Sequence, residues 1–304
     1  MTGIMKELRD VYKGIIPPII TPLREDETLD EENLEKLIQY CLNNGVHGIF
    51  AMGTSGEAMC VSRRVWKRTI EIAIKTAGDK VPVFCGVIDS STTRVIENIK
   101  ELEQAGAEIV VATPAFYLQN TCQAEIIRHY EKICSSTALK VVAYNIPPTT
   151  HVNILPETIK TISMIDNIIA YKDSCADWEQ FQRNLFMLKD SDISLFNGAE
   201  ELCGVSLLFG AQGNVPGLAN FFPHLFTDMY AAALQNDIAK VYELQRKVWD
   251  VRKTLSVGKS WMSSMKFISS RLGFGYDKTT YPVEPLTDTE KKKIDEIIEK
   301  YIEK

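Results

Sequence analysis

Short apolar runs alternate eight times with longer amphipathic stretches along this chain, and no other feature restricts its fold as tightly. The runs that read as strands fall at residues 14–21, 48–52, 81–88, 108–112, 140–145, 167–172, 194–197 and 213–215. Helical patterns lie between them. They cover 31–42, run from Ser62 as a cap to about Thr76, run from Thr92 as a cap to Gln104, and cover 123–135, 156–162, 178–188 and 200–209. Strand and helix in strict alternation argue for parallel strands joined by helical crossovers. The repeat, on the order of 30 residues, suits a (β/α)8 TIM barrel of ~250 residues. The alternative is a doubly wound open sheet, but its phosphate loops, G-x-x-x-x-G-K-[ST] or G-x-G-x-x-G, are missing. The α/β barrel is therefore expected over residues 1–221, with a C-terminal helical extension over 222–304. The extension has helical patterns at 223–235, 238–255, 260–272 and 288–301. Gly273, Gly275, Pro282 and Pro285 in the preceding linker predict that the last helix docks separately.

The composition narrows the class. The chain has 304 residues, 45% hydrophobic and 24% charged, which is an ordinary globule with a sizeable core. A net charge of −6, from 34 basic and 40 acidic residues, offers no electrostatic footprint for nucleic acid. It leaves small anionic substrates open, because they need only local donors. Seven cysteines, an odd number with no C-x-x-C pair, read as reduced thiols in a cytoplasmic protein. The first residues, 1–6, show no apolar leader, and no apolar run approaches the roughly 18 residues of a membrane span. Four histidines are scattered, without an H-x-x-x-H or H-E-x-x-H pair, so no metal site is expected.

Lys172 says most about chemistry. It ends the apolar run Ile168-Ile169-Ala170-Tyr171-Lys172, which is closed by Asp173-Ser174. Strand alternation puts Ile168, Ala170 and Lys172 on one side, so the amine follows two apolar residues into an interior. Burial disfavours a charged amine, and a neutral amine attacks ketones to form Schiff bases. The plainer reading is a loop lysine whose head reaches water. The second strand ends in Gly53-Thr54-Ser55-Gly56-Glu57. Its glycines let the backbone turn and expose N–H groups, and with the two hydroxyls they can form a nest for a carboxylate. An ordinary turn before the next helix is the competing account. The fifth strand ends with Tyr144, a phenol that can relay protons or simply pack as a core aromatic. Strands five and six are neighbours in a barrel, so Tyr144 and Lys172 would lie side by side. Amine, phenol and carboxylate nest together suit a 2-keto acid.

With these segments in this order, the chain resembles the class I pyruvate-dependent aldolase family that includes dihydrodipicolinate synthase and N-acetylneuraminate lyase. The resemblance runs from Tyr12-Lys13-Gly14-Ile15-Ile16-Pro17-Pro18 to Pro285-Leu286. The family's G-[TS]-[TS]-G-E loop falls on 53–57, its Y-N-[IVY]-P segment on 144–147 and its Schiff-base lysine on Lys172. The resemblance implies that Thr54 and Ser55 hold the pyruvyl carboxylate, with Thr54 also in the proton relay. It implies that Tyr144 donates and accepts protons, and that Val215 backs the pyruvyl group. Asn197-Gly198-Ala199-Glu200-Glu201 looks like the lyase segment N-G-x-D-E that holds substrate hydroxyls, with Glu200 in place of aspartate. The two glutamates also read as the negative first turn of a helix.

Two departures stand out. In Thr113-Pro114-Ala115-Phe116-Tyr117, Phe116 takes the place of a relay tyrosine that a neighbouring subunit usually contributes, which leaves Tyr117 as the nearest phenol. Thr149 stands where the synthase has an arginine that grips the carboxylate of aspartate semialdehyde, and Thr150 and His151 follow it. At the eighth strand, Pro216-Gly217 replaces the lyase's glycine-serine pair.

The expected activity is a Schiff-base aldolase or lyase acting on pyruvate and an aldehyde, or on the corresponding hydroxylated 2-keto acid. Synthase and keto-sugar-acid dehydratase activities are the alternatives. A catalytically silent keto-acid-binding relative is the rival from another class. No cofactor is expected beyond the covalent link through Lys172. The resemblance implies a homo-oligomer, either a dimer or a tetramer.

Overall fold

The computed structural model describes Arg9, residues 11–118 and residues 122–302. Residues 1–6, read above for a leader, lie outside the described residues. Eight strands are present: β1 Gly14–Ile15, β2 Ile49–Ala51, β3 Val83–Gly86, β4 Ile109–Ala112, β5 Lys140–Asn145, β6 Ile168–Asp173, β7 Ser194–Asn197 and β8 Gly213–Asn214. Each from β2 to β8 pairs parallel with the next, and β8 pairs back onto β1. A parallel bridge between Pro18 and Phe50 closes the remaining seam, with Ile19 N donating to Phe50 O at 2.8 Å and Phe50 N to Pro17 O at 3.0 Å. The sheet is thus a closed barrel, and the open-sheet alternative is excluded. β1 is shorter than the expected 14–21 because Pro17 and Pro18 have no N–H to give to a ladder.

The barrel has two apolar layers. Its interior holds Ile16, Phe50, Phe84, Val111, Val142 and Phe196. A larger layer fills the space between strands and helices, with Ile15, Ile49, Val110, Val141 and Ala143. β6 departs from simple alternation. Val141 pairs with Ile168 but Val142 with Ala170, so β6 carries one extra residue. The result is a bulge, which re-aims the side chains beyond it. Ile168 accordingly belongs to the outer layer, while Ala170 faces the interior, which corrects the expectation that Ile168 shares a face with Lys172.

Helix starts follow short polar caps. Asp30, Ser62 and Asp177 accept from backbone N–H groups of their first turns. The third helix, Thr92–Gln104, is capped by Ser91 and not by Thr92, whose hydroxyl lies 2.9 Å from His129 Nδ1. Beyond the barrel, helices Pro223–Leu234, Ile238–Arg252, Trp261–Arg271 and Asp288–Ile298 bury Phe226, Val248, Ile268 and Ile294 in the same outer layer as the barrel helices. The last helix does not dock separately. Ile294 and Ile298 are fully buried, and Arg271 pairs with Asp295 at 2.6 Å. No helix among the described residues is long and apolar enough to cross a membrane.

Candidate active site

A cavity of about 260 Å³ opens where the strands end at their C-terminal side. The loop after β2 gives it Thr54 and Ser55, β5 gives Tyr144, and β6 gives Lys172. Gly198, Glu200 and Glu201 follow β7, and Val215 follows β8. Thr149 sits on its exposed rim. The sequence-selected residues therefore meet at one site, with one exception. Tyr117, in the left-handed region at φ 78°, is 91% exposed and does not line the cavity. Phe116 instead packs half-buried against the barrel interior. Of the three polar residues after Pro148, Thr149 alone lines the cavity. The Thr150 hydroxyl donates to Ile146 O at 3.0 Å, which takes it out of substrate reach.

The ladder dictates the central pair. Tyr144 and Lys172 are register partners on β5 and β6, and both are buried. Lys172 Nζ lies 4.0 Å from the Tyr144 ring centroid and 4.9 Å from that of Phe50. Gly198 makes room for this lysine. A Cβ there would lie 2.9 Å from Lys172 Cε and 2.0 Å from Ser174 Oγ. The next residue, Asp173, points to the other side of the strand, fully buried. It accepts from Asn145 Nδ2 at 3.1 Å, Gln180 Nε2 at 3.2 Å, Asn184 Nδ2 at 3.0 Å and the Cys175 amide at 3.0 Å. Burial raises the Asp173 carboxyl above its ordinary value, with these donors opposing the rise. This cluster fixes the end of β6 and so the position of Lys172. Sequence reading took Asp173 only as the close of the strand.

The 53–57 loop is locked from the far end of the chain. Thr54–Gly56 form a 3-10 turn, and Glu57 follows in the left-handed region at φ 56°. Glu57 Oε2 lies 2.6 Å from Lys266 Nζ, which also donates to Thr21 O at 2.5 Å. Glu57 Oε1 accepts from the Thr280 amide and hydroxyl, each at 2.9 Å. Lys266 is completely buried, and burial lowers its pKa while Glu57 opposes the change. Lys266→Met should destabilise the fold by about 3–5 kcal/mol, since it strands the Glu57 carboxylate in the interior. Adding Glu57→Gln should recover much of that loss. Urea denaturation reads both effects, and a loss under about 1 kcal/mol for the single variant would show that the pair is not holding the loop.

Both glutamates of the 197–201 segment have partners within the protein. Glu200 reaches across to the β8 loop, where its Oε1 accepts from the amides of Gly217 at 2.8 Å and Leu218 at 3.3 Å. Burial pushes its carboxyl above the ordinary range. The longer side chain thus caps the turn Gly217–Asn220, where an aspartate would be too short to span. Glu201 forms an ion pair with Arg252. Arg252, Leu255, Trp261 and Met265 line the cavity from the C-terminal helices, a wall that sequence reading missed. The available signal was periodicity. Arg252 lies four residues after the buried Val248, on the edge of the stripe Val241, Leu244, Val248.

A buried lysine beside a phenol, at the mouth of a parallel barrel, defines the class as Schiff-base aldolases. Comparison with known proteins is in accord. The profile of the Dihydrodipicolinate synthetase family matches residues 11–301. The chain is 30% identical over 286 residues to 4-hydroxy-tetrahydrodipicolinate synthase of Kosmotoga olearia, covering 93% of this chain and 95% of that protein. It superposes on dihydrodipicolinate synthase from Bacteroides thetaiotaomicron with a TM-score of 0.90 and 34% identity, covering 95% and 98% of the two chains. The Thermotoga maritima dihydrodipicolinate synthase gives a TM-score of 0.91 at 26% identity, covering 96% and 99%. The chain belongs to the dihydrodipicolinate synthetase family. Its members are metal-independent, pyruvate-dependent class I aldolases, carbon–carbon lyases that bind pyruvate to a lysine as a Schiff base.

Proposed function

We propose that Lys172 carries the pyruvyl imine, that Thr54 and Ser55 hold its carboxylate, and that Tyr144 moves the protons. The observation that carries this reading is the register pairing of Lys172 with Tyr144 inside a cavity also lined by Thr54 and Ser55. The amine adds to the keto carbon of pyruvate, and the oxygen takes up protons and leaves as water. Loss of a methyl proton turns the imine into an enamine. The enamine carbon bonds to an aldehyde carbon, and the aldehyde oxygen gains a proton. Water then releases the product and restores the lysine. Exposed Tyr117 and Leu118, in the segment after β4, support the expectation of a dimer or tetramer.

For the second substrate we favour an aldehyde that carries a carboxylate, in a synthase-type condensation. The relatives named 4-hydroxy-tetrahydrodipicolinate synthase support this over the lyase-type cleavage that the sequence motifs favour. Thr149 in place of an arginine supports the second reading, cleavage of a hydroxylated 2-keto acid. A substrate panel separates the two. Pyruvate with aspartate semialdehyde should be condensed with kcat/KM of about 10⁴ M⁻¹s⁻¹ or more. Hydroxylated 2-keto acids should release pyruvate more slowly. Undetectable condensation beside efficient cleavage of any panel member would reverse the order of the readings.

A further inference from the structure

Among the described residues lining the cavity, the basic ones are Lys172 and Arg252. Once Lys172 is joined to pyruvate, Arg252 is the guanidinium left to meet a second anion. It is placed by the fold and not by chance. It ends the helix Ile238–Arg252, whose Gln245 donates to Glu200 O at 2.9 Å and accepts from the Gly204 amide at 2.7 Å. These bonds tie the helix to the β7 loop. The guanidinium is held by the Glu201 carboxylate and lies 5.6 Å from the Trp249 ring centroid. Its Nε is buried and has no hydrogen-bond acceptor among the described residues. A buried donor left unsatisfied is costly, and a charged one more so. The side chain as a whole is 30% exposed and lines the cavity, where an acceptor oxygen can approach the guanidinium. A planar guanidinium suits a carboxylate, because it offers several N–H groups in one plane. Glu201 uses part of that fork and keeps it in place.

We propose that Arg252 receives the carboxylate of the aldehyde substrate, and so sets specificity for anionic aldehydes in place of the cation missing at Thr149. The proposal rests on the pyruvate-aldolase reading above. It also accounts for a wall of the site built by helices outside the barrel, since a binding residue there can change without disturbing Lys172.

The test uses two four-carbon aldehydes that differ in the carboxylate, succinic semialdehyde and butanal. Pyruvate consumption is followed with each for the wild type, Arg252→Met and Arg252→Lys. Borohydride trapping of pyruvate on each protein checks the imine step separately. The wild type should prefer succinic semialdehyde. Arg252→Met should lower that preference by about 10–100-fold, mainly through KM, the size expected for one charged hydrogen bond. Arg252→Lys should restore part of it. A preference retained by Arg252→Met, with trapping intact, overturns the proposal. So does a wild type that traps pyruvate yet prefers butanal or consumes neither aldehyde. Failure of the wild type to trap pyruvate overturns the aldolase reading itself, and this proposal with it.

Discussion

Lys172→Ala is expected to remove pyruvate-dependent turnover, by roughly 10⁴-fold or more, and to leave the barrel folded. The chemical reason is direct. Without the amine no imine forms, and the remaining groups can only hold pyruvate. The structural reason lies in what surrounds the amine. Its Nζ faces the rings of Tyr144 and Phe50, so the substitution strands no partner charge there. Removing a buried polar group from an aromatic setting costs packing but relieves desolvation, and the two effects oppose each other. Circular dichroism and urea denaturation should therefore differ little from wild type. Residual turnover within about tenfold of wild type would move the chemistry to another residue.

Tyr144→Phe is expected to lower kcat by roughly 10²–10⁴, the range for a positioned acid–base group. The ring is fully buried and stacks edge-on to Phe50 at a centroid distance of 6.2 Å, so phenylalanine should keep the packing and lose only the hydroxyl. This chain should lean on Tyr144 heavily, because Phe116 cannot move protons. Pre-steady-state trapping should show slower imine formation as well as slower turnover. A variant with wild-type kcat would mean that Thr54 and water carry the relay without the phenol.

The fold was legible where local patterns decide it. β5 and β7 match the expected 140–145 and 194–197, as buried apolar runs that end in asparagine. The β6 bulge was not, because alternation assumes one residue per ladder step and the partner strand sets where a step is doubled. Of the candidate site, the convergence of Lys172, Tyr144 and the 53–57 loop on one cavity was legible, because their residue types are unusual for their positions. Arg252, Lys266 and Asp173 were not: the first two act through partners distant in sequence, and Asp173 through amides that only the folded β6 loop and its helix turn toward it. Lys266 meets Glu57 across more than half of the chain, and nothing in the helix Trp261–Arg271 marks it as more than a surface lysine. Glu200 was read either as a hydroxyl ligand or as the negative first turn of a helix, and neither reading anticipates its bond to the Gly217 amide. Only the fold places the Gly217 amide within its reach.

Borohydride reduction in the presence of pyruvate, followed by peptide mass spectrometry, tests the central claim most directly. The reduced three-carbon adduct is predicted on Lys172, absent without pyruvate and absent from Lys172→Ala. An adduct on a different lysine, or none at saturating pyruvate, would contradict the assignment of Lys172 as the residue that carries the substrate.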